Sequence, residues 1–87
     1  MKTTDNLVTA ACNLAMRGAG EYLRAHNLTA DPTSLSACLR SWVKIKLPEA
    51  LRDAREAIEC NMHQAAEATF AATMVQAGIE AAKEAGK

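Results

Sequence analysis

The sequence predicts an all-α fold, a three-helix assembly with two shorter helices packed on a long C-terminal helix. Apolar residues recur at spacings of three and four across most of the chain. Pro32 and Pro48 each open such a pattern, and an alanine-rich stretch free of glycine and proline follows Pro48 as far as Gly78. We expect a single domain over residues 1–87. Its helices are predicted at about 4–26, 32–46 and 48–84.

The composition indicates a thin core and weak long-range electrostatics. The 87 residues are near the size at which a monomeric core is marginal, so self-association is expected. Hydrophobic residues make up 49% of the chain but aromatic residues only 3%, so the core must rely on small and aliphatic side chains. Ten basic and ten acidic residues give a net charge of zero, which argues against the counterion release typical of nucleic-acid binders.

The cysteines and the hydropathy pattern indicate the compartment in which the protein is found. Cys12, Cys38 and Cys60 are widely spaced, with no CxxC pair, so neither a disulfide framework nor a zinc site is predicted. No run of about 18 apolar residues is present, so we expect no membrane partner. Reduced thiols then favour a cytoplasmic location.

Helix one begins after a polar start, where Thr3 or Thr4 suits the N-cap position. Gly18 and Gly20 each lower helix propensity by about 1 kcal/mol relative to alanine, so we expect another helix to approach closely there. The alternative is a weak point or slight kink. Asn27 tolerates the left-handed conformation that ends a helix. Two neighbouring apolar lines are predicted to face the core: Leu7, Ala11, Leu14, Gly18, Tyr22 and Ala25, and Val8, Cys12, Ala15, Ala19 and Leu23.

Helix two has a strong start signal, because Asp31 suits the N-cap and Pro32 suits the first turn. It is predicted to end near Lys46, since Leu47 precedes Pro48 and that position disfavours helix. Helices two and three would then meet at a sharp corner. The residues predicted to face the core are Leu35, Cys38, Leu39, Trp42, Val43 and Ile45.

Helix three divides into two halves with different apolar faces. The first half is predicted to close the core through Leu47, Leu51, Ala54, Ile58, Met62 and Ala65. In the second half the apolar face rotates by roughly a third of a turn. This face is predicted to bind a protein partner or a second copy, and a homodimer is expected; packing within the chain is the alternative. Its residues are Phe70, Met74, Val75 and Ile79.

Five basic residues around the predicted corner form a candidate contact for an anionic partner, either a nucleic acid or an acidic protein. Nearby Glu49, Asp53 and Glu56 dilute this basic corner, which makes nucleic-acid contact possible but not favoured. The basic residues are Arg40, Lys44, Lys46, Arg52 and Arg55.

No pattern for catalysis emerges. Cys60 and His63 stand three apart on one predicted helical face, but a closed zinc site needs four ligands and no second pair occurs. No phosphate-binding glycine loop or nucleophile elbow is present. We therefore predict no metal, no cofactor and no enzymatic activity.

The segment LPEALRDAREAIECNMHQAAEATFAATMVQAGIEAAKEAG resembles small alanine-rich helical proteins encoded by proteobacterial phages and prophages. The resemblance covers about the last 40 residues and implies a context of host interaction. The predicted function is a non-enzymatic protein–protein interaction module, such as a phage accessory protein or anti-defence inhibitor that binds a host protein. The alternatives are a small nucleic-acid-binding regulator using residues 40–55 and a virion assembly protein.

Overall fold

The structure is a computed structural model that describes residues 2–87, with side chains described from Leu7 onward. It contains α1 (Lys2–Ala25), α2 (Pro32–Glu59) and α3 (His63–Ala85). The described residues contain no strand, so the all-α prediction is confirmed. The helices have 24, 28 and 23 residues, so the third is not the long one. The predicted caps Thr3 and Thr4 lie outside the described side chains.

The signals at the first connection act as predicted. Asp31 adopts an extended conformation, and its carboxylate accepts a hydrogen bond of 3.0 Å from the Ser34 amide. Asn27 has a φ of 53°, and the Leu28 amide donates to the Leu23 carbonyl at 2.8 Å. This pairing, with a left-handed residue before it, is the Schellman motif that closes a helix.

The predicted corner at Pro48 is wrong, because α2 continues through this residue. Proline lacks an amide hydrogen, so the carbonyl of Lys44 loses its helical donor. Both residues are exposed, so water can hydrogen-bond to that carbonyl. Val43 and Ala50, one on each side of the proline, are buried, so tertiary packing holds the helix across the break.

The chain reverses instead at Asn61, which has a φ of 59°. The Asn61 amide donates to the Ile58 carbonyl at 2.9 Å, and the Met62 amide donates to the Ala57 carbonyl at 2.8 Å. These two bonds form a second Schellman motif. The predicted helix over residues 48–84 is therefore two helices, because asparagine adopts the left-handed conformation more readily than most residues.

Helix α3 is the centre of the fold. It packs against both α1 and α2, whereas α1 and α2 contact each other far less. The Cα atoms extend over 42 × 28 × 15 Å, a flattened shape that fits three helices side by side with α3 in the middle. The core is built mostly from alanine: Ala11, Ala15, Ala19, Leu39, Val43, Ala50, Met74, Ala77, Ala81 and Ala82.

Glycine lets α1 and α3 approach each other closely. A Cβ atom at Gly78 would overlap the backbone carbonyl of Ala15, and one at Gly18 would overlap the carbonyl of Val75. The predicted close approach is therefore confirmed at Gly18. Gly20 has open space where its Cβ would lie, so that glycine is not required by packing.

The end of the chain is held beside the connection between α1 and α2. Thr29 and Lys87 exchange two backbone hydrogen bonds, of 3.2 and 2.8 Å. A Cβ at Gly86 would contact the side chains of Leu23 and Leu28. These contacts fix the C-terminal end of α3 against the turn that closes α1.

Candidate functional site: an apolar groove between α1 and α2

A groove of about 540 Å³ lies between α1 and α2. Apolar residues recur at every fourth position along both walls, which places them on one face of each helix. We call this feature the α1–α2 groove. It is lined on α1 by Val8, Thr9, Cys12, Asn13 and Met16, and on α2 by Ser36, Leu39, Arg40, Val43, Lys44 and Leu47.

The groove has buried apolar residues at its base and accessible apolar residues on its wall. Leu39 and Val43 are only 3% and 2% exposed and belong to the core. On α1, Val8 is 39% exposed and Met16 is 47% exposed. Methionine is flexible and adapts to varied partner shapes, so Met16 suits a binding surface.

The apolar surface of the groove continues along the C-terminal part of α2. Leu51 follows Leu47 by four residues and Ile58 follows Leu51 by seven, so the three side chains share one helical face. Leu51 is 37% exposed and Ile58 is 49% exposed, and Met62 beyond the helix end is 56% exposed. Leu51, Ile58 and Met62 were predicted to close the core. They do not, because α3 packs against the face of α2 that carries Val43 and Ala50.

Ile45 is a second correction in α2. It was predicted to face the core, but it is 62% exposed. It does not line the groove. It therefore provides an exposed apolar position away from the groove on the same helix.

The α2 wall of the groove is positively charged. Arg40 and Lys44 line it, and Arg55 follows Lys44 by eleven residues, about three helical turns, on the same side. No aspartate or glutamate is among the described residues that line the groove. Among the side chains described from Leu7 onward, the α1 wall contributes only neutral polar groups, from Thr9 and Asn13.

The predicted basic corner does not exist, because α2 is continuous. Lys46 lies about 120° around the helix from Arg40 and is not among the residues that line the groove. Arg52 approaches the carboxylate of Asp53 at 3.8 Å, with both side chains exposed. Exposed pairs of this kind contribute little to stability. The five basic residues therefore do not form one patch, and only Arg40, Lys44 and Arg55 lie on the same side of α2.

The predicted partner surface on α3 is largely internal. Met74 is fully buried, which contradicts its predicted place on an exposed interface. Val75 is half-buried beside Gly18, and Phe70 packs against the core. Ile79 is also half-buried. The sequence contains a feature that indicates the burial of α3. No charged residue occurs between Glu67 and Glu80. A helix without a charged face is typically buried on more than one side.

The candidate thiol and imidazole groups are not brought together by one helix. Cys60 ends α2 and His63 begins α3, so the turn between them removes the helical spacing. Among the described residues, no group of three or more His, Cys, Asp or Glu side chains is placed to hold a metal ion. Burial, and secondarily the nearby carboxylate of Glu84, raise the pKa of the Cys38 thiol.

Comparison with known proteins adds no relative. No protein-family model, curated protein or solved structure matches this chain. The resemblance to phage-encoded proteins therefore stays a prediction. Within the described part of the chain, no helix is long and apolar enough to span a membrane.

Proposed function

We propose that this protein is a non-enzymatic protein–protein interaction module that holds a helix of a partner protein in the α1–α2 groove. One observation carries the proposal. Both α1 and α2 pack on α3, but between them they leave an apolar groove with Val8 and Met16 exposed on its wall.

The dimensions of packed helices support this type of occupant. Neighbouring helices in bundles lie about 8–10 Å apart, with the side chains of one filling the grooves of the other. A fourth helix over the α1–α2 groove would complete a four-helix arrangement and cover the accessible parts of Val8, Met16 and Leu47. Binding of an amphipathic helix in an apolar groove is a recurring mode of recognition.

The partly exposed side chains of this apolar surface have burial free energy left to gain on binding. Complete burial of one aliphatic or methionine side chain contributes about 1.5–3 kcal/mol. Val8, Met16, Leu51 and Ile58 are each between 37% and 49% exposed, so each has part of this contribution left to gain. If the partner is a host protein, binding would cover one of its helices. This protein would then act as the accessory protein or inhibitor that the sequence predicts.

Site-specific photo-crosslinking tests the proposal. A photoreactive phenylalanine analogue at Met16 should give a discrete protein adduct in a bacterial lysate, whereas the same group at Ile45 should not. Both positions are exposed, at 47% and 62%, so accessibility alone does not distinguish them. Adducts of equal yield and identity from the two positions, or an adduct with nucleic acid from Met16, would contradict the proposal.

A further inference from the structure

We infer that the occupant of the α1–α2 groove is an acidic amphipathic helix of a different protein, with aspartate or glutamate beside its apolar face. This inference rests on the proposed function and specifies the chemistry of the partner. It is carried by the distribution of charge around α2.

The basic residues of α2 on the groove side are segregated from its acidic residues. At about 100° per residue, Arg40, Lys44 and Arg55 fall within a sector of about 60°, and the exposed Leu51 and Ile58 lie in the same sector farther along the helix. No acidic residue of α2 falls within this sector; Glu59 lies about 40° beyond Arg55, on the side away from the groove. The acidic residues lie elsewhere around the helix: Glu49, Asp53, Glu56 and Glu59.

The difference in charge between the two walls predicts a partner helix whose charge differs between its two sides. Thr9 and Asn13 on α1 are neutral, so they neither attract nor repel a charged side chain. Arg40 and Lys44 on α2 favour carboxylates and disfavour ammonium groups. The acidic residues of the partner helix should therefore lie on its side nearer α2. Burial of the apolar face beside them reduces solvent screening of these charge pairs.

The same charges argue against a second copy of this chain as the occupant. A two-fold interface brings the same surface of each subunit together. Two grooves placed face to face with α2 over α2 would bring Arg40 and Lys44 of one copy near those of the other. Repulsion between these like charges disfavours that pairing.

The exposed apolar face also sets the length of the partner. From Ser36 at one end of the groove to Ile58 on α2 the chain advances by 22 residues, which is about 33 Å in a helix. A helix of about six turns would cover this distance.

Two synthetic peptides of about six helical turns provide the test. Both carry leucine at helical a and d positions, and the flanking positions are glutamate in one peptide and lysine in the other. Fluorescence anisotropy with the full chain should show that the glutamate peptide binds at least about tenfold more tightly. The difference should shrink as salt concentration rises, because ions screen exposed charges.

Charge-reversal variants locate the effect. Arg40→Glu with Lys44→Glu should reverse the preference between the peptides. Arg24→Glu with Lys83→Glu changes the net charge equally at exposed residues outside the groove, so the preference should persist. Circular dichroism confirms that each variant is folded.

The outcomes separate this inference from the proposed function. Equal affinity for the two peptides, with both lost in Met16→Glu, would overturn the acidic partner and leave the groove as a helix site. A glutamate preference that survives reversal of Arg40 and Lys44 would also overturn the inference. A dimer in sedimentation equilibrium that Met16→Glu dissociates would identify a second copy as the occupant, and groove-dependent binding of duplex DNA would identify a nucleic acid; either result overturns it. The crosslinking experiment judges the proposed function separately.

Discussion

Helix α1 meets its two neighbours in opposite ways. Against α3, Gly18 and Ala15 allow contact so close that an added methyl group at Gly18 or Gly78 would overlap backbone atoms. Against α2, larger side chains stand apart and leave the α1–α2 groove, in which Met16 is 47% exposed. Small residues let the first pair of helices exclude water. The second pair leaves apolar side chains exposed to solvent.

This difference separates the structural surface of α1 from its candidate binding surface. At the α1–α3 contact, substitutions should change stability, because backbone atoms there have no room to move. At the groove, substitutions should change binding and leave stability nearly unchanged. The predictions below test this separation.

The two methionines give the largest expected contrast. Met74 is fully buried and Met16 is 47% exposed. Met74→Ala should lower the free energy of unfolding by about 2–5 kcal/mol, because it leaves a cavity in the core. Met16→Ala should change it by less than about 0.5 kcal/mol. Urea denaturation followed by circular dichroism measures both, and similar losses at the two positions would remove the distinction between core and groove.

The glycines predict effects of opposite sign. Gly78→Ala should destabilise the protein by about 1–3 kcal/mol, because the new Cβ meets the carbonyl of Ala15, which is held in α1. Gly20→Ala should stabilise it by about 0.5–1 kcal/mol, since the new Cβ has open space and alanine favours helix. Thermal unfolding compares the two variants. A stabilising Gly78→Ala would show that α1 and α3 are not in close contact.

Asn61 tests whether the turn before α3 sets the position of that helix between its neighbours. Asn61→Ala should cost about 1–2 kcal/mol, because alanine is strained at a φ of 59°. Asn61→Gly should retain or raise stability, since glycine adopts this conformation freely. The two variants are compared by denaturation and by sedimentation. If Asn61→Ala were more stable and dimeric, a continuous helix through the turn would be the preferred state.

The smallest expected effect concerns Cys38, which packs against the core on the other side of α2 from the groove. Burial, and after it the Glu84 carboxylate, raise the pKa of this thiol. Glu84→Gln removes a negative charge that opposes the thiolate, so the pKa should fall and alkylation near neutral pH should become faster. Iodoacetamide kinetics in a Cys12→Ser, Cys60→Ser background measures the change. An unchanged rate would indicate that burial alone raises the pKa.

Sequence patterns predicted the first part of the fold well. The Asp31 cap, the helix start at Pro32 and the end of α1 at Asn27 all follow from signals within a few residues. Asn61 is the same residue type as Asn27 and ends α2 by the same hydrogen-bonding pattern. The sequence does not predict this turn, because the neighbours of Asn61 favour helix and a single asparagine within such a stretch does not by itself require a turn.

The roles of the two halves of the predicted long helix are reversed in the structure. The half with Leu51 and Ile58 was expected to close the core, and it carries the exposed apolar face. The half with Met74 was expected to meet a partner, and it forms the central helix. Once the chain reverses at Asn61, α3 packs between α1 and α2, and its alanine-rich surface is buried on two sides. The groove follows from this arrangement and could not be read from the spacing of apolar residues.

The amino-acid sequence by itself determined the helical class, the start of α2 and the end of α1, because caps and left-handed residues act through local hydrogen bonds. Only the tertiary structure decided that α2 continues through Pro48 and which helical faces are covered. Alanine is small enough to fit the interior and costs little at the surface, so it does not mark the buried face of a helix. Burial was decided instead by the close contact of Gly78 with α1, which seals one side of α1 and leaves the groove on the other.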